Sequence, residues 1–194
     1  MSMPAPSSRF DAIVIGASAG GVLALQQLLA CLSAQLPVPV LIVLHLPRDR
    51  TSRIAELLAT HCRLPVSEAQ DKQPLQPGTV VFAPPDYHLL VEDRNTLALS
   101  VDAPVLFSRP AIDPLFESAA EVFGTRLLAI LLTGASSDGT AGIAAVRAAG
   151  GTAWIQSPQE ASSPLMPASA LAHAGADAVL TLQDLCTHLR QLYP

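Results

Sequence analysis

Three residues whose types suit nucleophilic catalysis follow short apolar runs in this chain. Asp11-Ala12-Ile13-Val14-Ile15 ends in Gly16-Ala17-Ser18-Ala19-Gly20-Gly21. The run PVLIVLHL at 39–46 carries His45 near its end, and LLAILL at 127–132 leads into Thr133-Gly134-Ala135-Ser136-Ser137-Asp138-Gly139. A serine hydroxyl is a weak nucleophile near neutral pH until an imidazole takes its proton. A carboxylate then fixes the imidazole tautomer and stabilises the imidazolium. The glycines around Ser18 permit a sharp strand-to-helix turn that exposes the hydroxyl. The free N–H groups of the following helix can hold an oxyanion, with the Ala19 N–H as first donor.

The elements that must position these groups read as an α/β domain. Strands are expected at 11–15, 39–46, 127–132, 152–156 and 178–182, and helices at 21–36, 51–61, 110–123, 138–149, 167–174 and 183–192. Between them, 66–69, 79–83, 87–91 and 96–101 are short strand-like pieces separated by Pro, Gly, Asp and Asn, a pattern that suggests hairpins. The expected fold is a doubly wound, mostly parallel sheet with helices on both faces and an antiparallel hairpin excursion. In such a sheet function gathers at the carboxyl edge, where Ser18, His45 and Asp138 all emerge.

Composition fits that architecture. The chain has 194 residues, 50% hydrophobic and 14% charged, with a mean hydropathy of +0.40. No apolar run approaches the roughly 20 residues of a membrane span, so the apolar excess implies strands buried on both faces. The net charge of −5 argues against a nucleic-acid partner. Three scattered cysteines, Cys31, Cys62 and Cys186, do not read as a disulfide framework. Residues 1–8 lack the charge and apolar pattern of a signal peptide and are expected to be a disordered leader, with the domain over 9–194 and a cytoplasmic location. His61-Cys62 and Cys186-Thr187-His188 have poor metal-ligand spacing, and neither metal nor cofactor is expected.

Alternatives exist for each piece. Asp138 can be the N-cap of the helix that follows it. Gly16-x-Ser18-x-x-Gly21 nearly fits a dinucleotide-binding turn, but Ser18 replaces the glycine that admits the pyrophosphate. His45 likewise stands where such a site wants an acid; the nearest, Asp49, lies past Pro47. Arg109 and Asp113 in SRPAID either line the cleft and orient substrate or form a structural Arg–Asp pair with helix capping.

The segments VIGASAGG (14–21), IVLHLP (42–47), LQPGTVVFAPPDYHLLV (75–91), SRPAIDPLFESAAEVFG (108–124) and LTGASSDGTAGIAAVRAAGG (132–151) resemble the catalytic domain of chemotaxis protein-glutamate methylesterases (CheB-type). The stretch with Gln156 and Met166-Pro167 is also similar. The resemblance implies hydrolysis of glutamyl γ-methyl esters on chemoreceptor helices, with deamidation of some glutamines. Its nucleophile, base and carboxylate fall on Ser18, His45 and Asp138. Ala19 stands where threonine is frequent and Ala135 where methionine is, and the backbone N–H at either position can serve an oxyanion. Implied partners are a methyl-accepting chemoreceptor or related sensory protein and a separate response-regulator receiver domain. A signalling module of the same fold without esterase activity is the reading from another class.

Overall fold

The computed structural model describes residues 9–45 and 52–193. Seven strands form one sheet: β1 (Ala12–Ala17), β2 (Val40–Leu44), β3 (Val66–Glu68), β4 (Val80–Phe82), β7 (Leu127–Leu131), β8 (Thr152–Gln156) and β9 (Ala178–Leu180). Their order is β3-β4-β2-β1-β7-β8-β9, and every neighbouring pair is parallel. The remaining two strands, β5 (His88–Asp93) and β6 (Thr96–Ser100), form a separate antiparallel hairpin.

Burial on both faces explains why the central strands β1, β2 and β7 are apolar throughout. Ile13, Ile15 and Ile42 face one layer, and Val14, Leu41 and Val43 face the other. The first layer holds α1 (Gly21–Ala30), α2 (Ile54–Ala59) and α6 (Leu182–Leu192), through Leu25, Leu28, Leu58 and Leu185. The second holds α3 (Ile112–Phe123), α4 (Thr140–Ala148), α5 (Leu165–His173) and the β5–β6 hairpin, through Leu89, Leu115, Phe116 and Ile143. Among the described residues no helix is long and apolar enough to cross a membrane.

Four expectations change. Segments 66–69 and 79–83 are not hairpin strands; β3 and β4 run parallel to β2 and extend the main sheet, so only the 87–101 region is a hairpin. The first helix stops at Ala30 rather than at 36. Leu32 and Leu36 are buried from a turn, and their spacing only imitates another helical turn. Asp138 does not cap the helix after it: the N-cap of α4 is Gly139. Cys31 and Cys186 are joined in a disulfide across 155 residues, tying the end of α1 to α6, and Cys62 is the free thiol. The expected leader, the last residue of the expected second strand at Leu46, Pro47, Asp49 and the first residue of the expected 51–61 helix lie outside the described residues.

Candidate active site

β1 sits at the centre of the sheet, between β2 and β7. The chain leaves β1 toward β2 on one side and leaves β7 toward β8 on the other. Their carboxyl ends therefore flank the switch point at which open α/β sheets hold their ligands. Ser18 directly follows β1, His45 directly follows β2, and Asp138 lies in the loop after β7.

These three side chains meet. Ser18 Oγ lies 3.1 Å from His45 Nδ1, and His45 Nε2 lies 2.7 Å from Asp138 Oδ2. The hydrogen that Nε2 donates to the carboxylate leaves the Nδ1 lone pair facing the serine hydroxyl. The His45 side chain is 12% exposed and that of Asp138 is fully buried, so the carboxylate is shut off from solvent while the imidazole keeps a small exposed area. This row is the geometry that proton abstraction from a serine requires.

Asp138 is held by more than the histidine. Its Oδ2 accepts from the Ile112 N–H at 2.6 Å and its Oδ1 from the Asp113 N–H at 3.0 Å, at the start of α3. Burial pushes this carboxyl up, but His45 and the two N–H groups outweigh burial and hold it below the usual carboxylate range. Asp113, itself buried, returns the arrangement. Its Oδ1 accepts from Gly139 N–H at 2.9 Å and Gly142 N–H at 2.7 Å, at the start of α4. Burial pushes Asp113 up to about 6; the Gly142 N–H opposes this and the charge of Asp138 adds to it.

The loop that carries Ser18 is fixed by backbone and by Thr133. Ser18 N–H donates to Thr133 O at 2.9 Å, and Thr133 Oγ1 donates to Ala19 O at 2.9 Å while accepting from Ser163 N–H at 2.8 Å. Buried Gln156 accepts from the Thr133 N–H at 2.8 Å. Gly134 allows the β7 loop to pass close to the serine: a Cβ there would lie 2.9 Å from Ser18 Cβ and 2.5 Å from Met166 Cε. Gly20, at φ 78, occupies the left-handed region as the chain turns into α1. Among the described residues neither the Ala19 nor the Ala135 N–H has a protein acceptor, which leaves both donors available.

Arg109 is placed differently. Its Nε and Nη2 donate to Asp86 Oδ1 at 3.1 and 2.7 Å, and its Nη1 donates to Val101 O and Asp102 O. An Arg–Asp pair exists, but with Asp86 rather than Asp113. His88, buried in the hairpin, lies 3.1 Å from Ala103 O through Nε2 and accepts from the Ala111 N–H through Nδ1. The exchange between Asp113 and Asp138 and the Thr133–Gln156 tie were not legible in the sequence beyond the proximity of Asp113 to a helix start, because each joins residues at least 23 positions apart.

Fold and site together define a class: a doubly wound α/β domain with a Ser–His–Asp row at the carboxyl edge of its sheet. The chain belongs to the CheB methylesterase family, whose profile matches residues 13–189. A relative from Leptospira interrogans is 40% identical over 176 residues, covering 91% of both chains. A protein-glutamate methylesterase/protein-glutamine glutaminase from Azospirillum brasilense is 41% identical over 188 residues, covering 93% of this chain and 47% of its own length. Among solved structures, the CheB methylesterase catalytic domain of Thermotoga maritima superposes with a TM-score of 0.89 at 31% identity, covering 94% of this chain and 98% of its own.

Proposed function

We propose that this protein hydrolyses glutamate γ-methyl esters on the helices of a chemoreceptor or related sensory protein in the cytoplasm, and deamidates glutamine at equivalent positions. The observation that carries the reading is the hydrogen-bonded row from Ser18 Oγ through His45 to the buried Asp138 carboxylate. Family membership supplies the substrate class.

The chemistry follows from the row. His45 Nδ1 takes the Ser18 proton as Oγ attacks the ester carbonyl. The N–H groups of Ala19 and Ala135 hold the resulting oxyanion. Collapse breaks the bond to methoxide, which leaves as methanol with the proton from Nδ1. Water then gives a proton to Nδ1 and attacks the acyl-serine, releasing the glutamate carboxylate and restoring the Ser18 hydroxyl. With a glutamine side chain the same sequence expels ammonia. Asp138 stays ionised and holds the Nε2 hydrogen throughout.

The test is methanol release from a methyl-esterified chemoreceptor signalling fragment. Ser18→Ala and His45→Ala should each lower kcat about 10³-fold or more while the fold, read by circular dichroism, persists. Wild-type rates in both variants would sink the assignment.

A further inference from the structure

Ahead of Arg109 stands a two-residue turn of unusual chemistry. Val105 N–H donates to Ser108 O at 3.0 Å and Ser108 N–H to Val105 O at 2.8 Å, so Leu106 and Phe107 form the tip of a minimal hairpin. Both have positive φ, 46° and 67°. That is the signature of a type I′ turn, a place for Asn-Gly, and bulky side chains there strain the backbone. The same two side chains are exposed, Leu106 by 49% and Phe107 by 91%. Two large, mostly exposed apolar side chains thus stand at turn positions whose backbone favours Asn and Gly.

The surroundings hold this tip in place. Arg109 bonds the carbonyls of Val101 and Asp102 while anchored on Asp86, and His88 spans from Ala103 O to the Ala111 N–H. The loop is thus pinned on both sides of the turn. Leu106 also lines an open groove of about 440 Å³ together with Asp113, Ser137, Thr140 and Ser169. Ser137 immediately precedes Asp138, and the Asp113 N–H bonds it. The tip and groove are therefore continuous with the carboxylate side of the candidate active site.

We infer that the Leu106–Phe107 tip is a docking wedge for the ester-bearing protein, seating its two apolar side chains against the substrate's helical surface while Ser18 reaches the ester. The inference rests on the reading of the site given above. A protein presenting a glutamyl ester to Ser18 must cover this rim, and a rigid aromatic anchor loses little conformational freedom on contact. Arg109 and His88 act here as positioning residues for the wedge.

The full chain is assayed on two substrates, a methyl-esterified chemoreceptor signalling fragment and p-nitrophenyl acetate. For Phe107→Ala, KM should rise about tenfold or more on the protein ester, with the defect confined to that substrate. The double variant Leu106→Asn/Phe107→Gly should show the same KM defect yet melt a few degrees higher, because it puts turn-forming residues into the strained positions. Unchanged KM on the protein ester in both variants overturns the wedge and leaves the esterase reading standing. An equal loss on both substrates also overturns it, since the tip would then be supporting the site. If the wild type releases no methanol from the protein ester but cleaves p-nitrophenyl acetate through Ser18, the substrate assignment fails and the wedge fails with it.

Discussion

Asp113 and Asp138 cap each other's helices. Asp138, in the loop leading into α4, accepts the first N–H groups of α3; Asp113, in the first turn of α3, accepts N–H groups at the start of α4. Two helix N-termini converge on two buried carboxyls, and positive helix ends stabilise negative charge. The exchange locks α3 to α4 and fixes the orientation of the carboxylate behind His45.

The two acids divide the charge unequally, and this sets a pH dependence. Burial raises Asp113 to about 6 from an ordinary value of 3.8. Between those values the folded protein binds more protons at this site than the unfolded chain does. The stabilising contribution is therefore complete below about pH 4 and is lost as pH rises through about 6. Asp113→Asn keeps an oxygen for both N–H groups but cannot titrate. The melting temperature of this variant, minus that of the wild type, should climb between pH 4 and pH 6.5. A difference that is flat with pH across that window would contradict the shift.

Asp138 behaves oppositely. Its carboxyl is held below the ordinary range, so its contribution is present above about pH 4 and is lost only as pH falls through its lowered value. In Asp138→Asn the carboxamide NH2 must face one of the N–H donors that the carboxylate now satisfies. We expect a kcat loss of about 10³ to 10⁴ from the wrong imidazole tautomer, and a stability loss of about 1–3 kcal/mol from the unsatisfied donor. Methanol release and urea titration at pH 7 measure the two separately.

Gly134→Ala tests how closely the β7 loop is packed on Ser18. The added methyl would meet the flexible end of Met166, which can move, and Ser18 Cβ at 2.9 Å, which cannot move without displacing the hydroxyl. A misplacement near 1 Å costs on the order of 100-fold in rate. The variant should fold, with kcat reduced tenfold to 100-fold. A variant with wild-type kcat would mean that the loop yields instead.

The Cys31–Cys186 bond closes a loop of 155 residues far from the chemistry. Cys31 caps the carboxyl end of α1, about 15 Å along the helix axis from its beginning near Ser18. Cys186→Ser should lower unfolding free energy by about 2–4 kcal/mol under oxidising conditions, chiefly by releasing the unfolded chain. kcat measured well below the melting temperature should stay within twofold of the wild type. Equal melting temperatures with and without reductant would show that the bond contributes nothing to stability.

What the sequence by itself determined was local. Apolar runs such as 12–15 and 127–131 mark strands buried on both faces, and the glycine-containing breaks after these two mark strand ends. Since a parallel sheet lines its carboxyl ends along one edge, the ends of the runs at 11–15, 39–46 and 127–132 put Ser18, His45 and Asp138 on that edge. The tertiary structure alone decided what depends on partners distant in the chain. Segments 66–68 and 80–82 have the same short, punctuated pattern whether they pair as a hairpin or lie parallel, and only packing beside β2 selects the second. Cys31 finds Cys186, and Asp113 finds Gly139 and Gly142, for the same reason. Hydrogen bonds and disulfides depend on distances of a few ångströms in the folded chain, and residue spacing does not encode them. Ser18 and His45 are legible as residue types at strand ends; the neighbour that orients the Asp138 carboxylate is decided by how α3 meets α4.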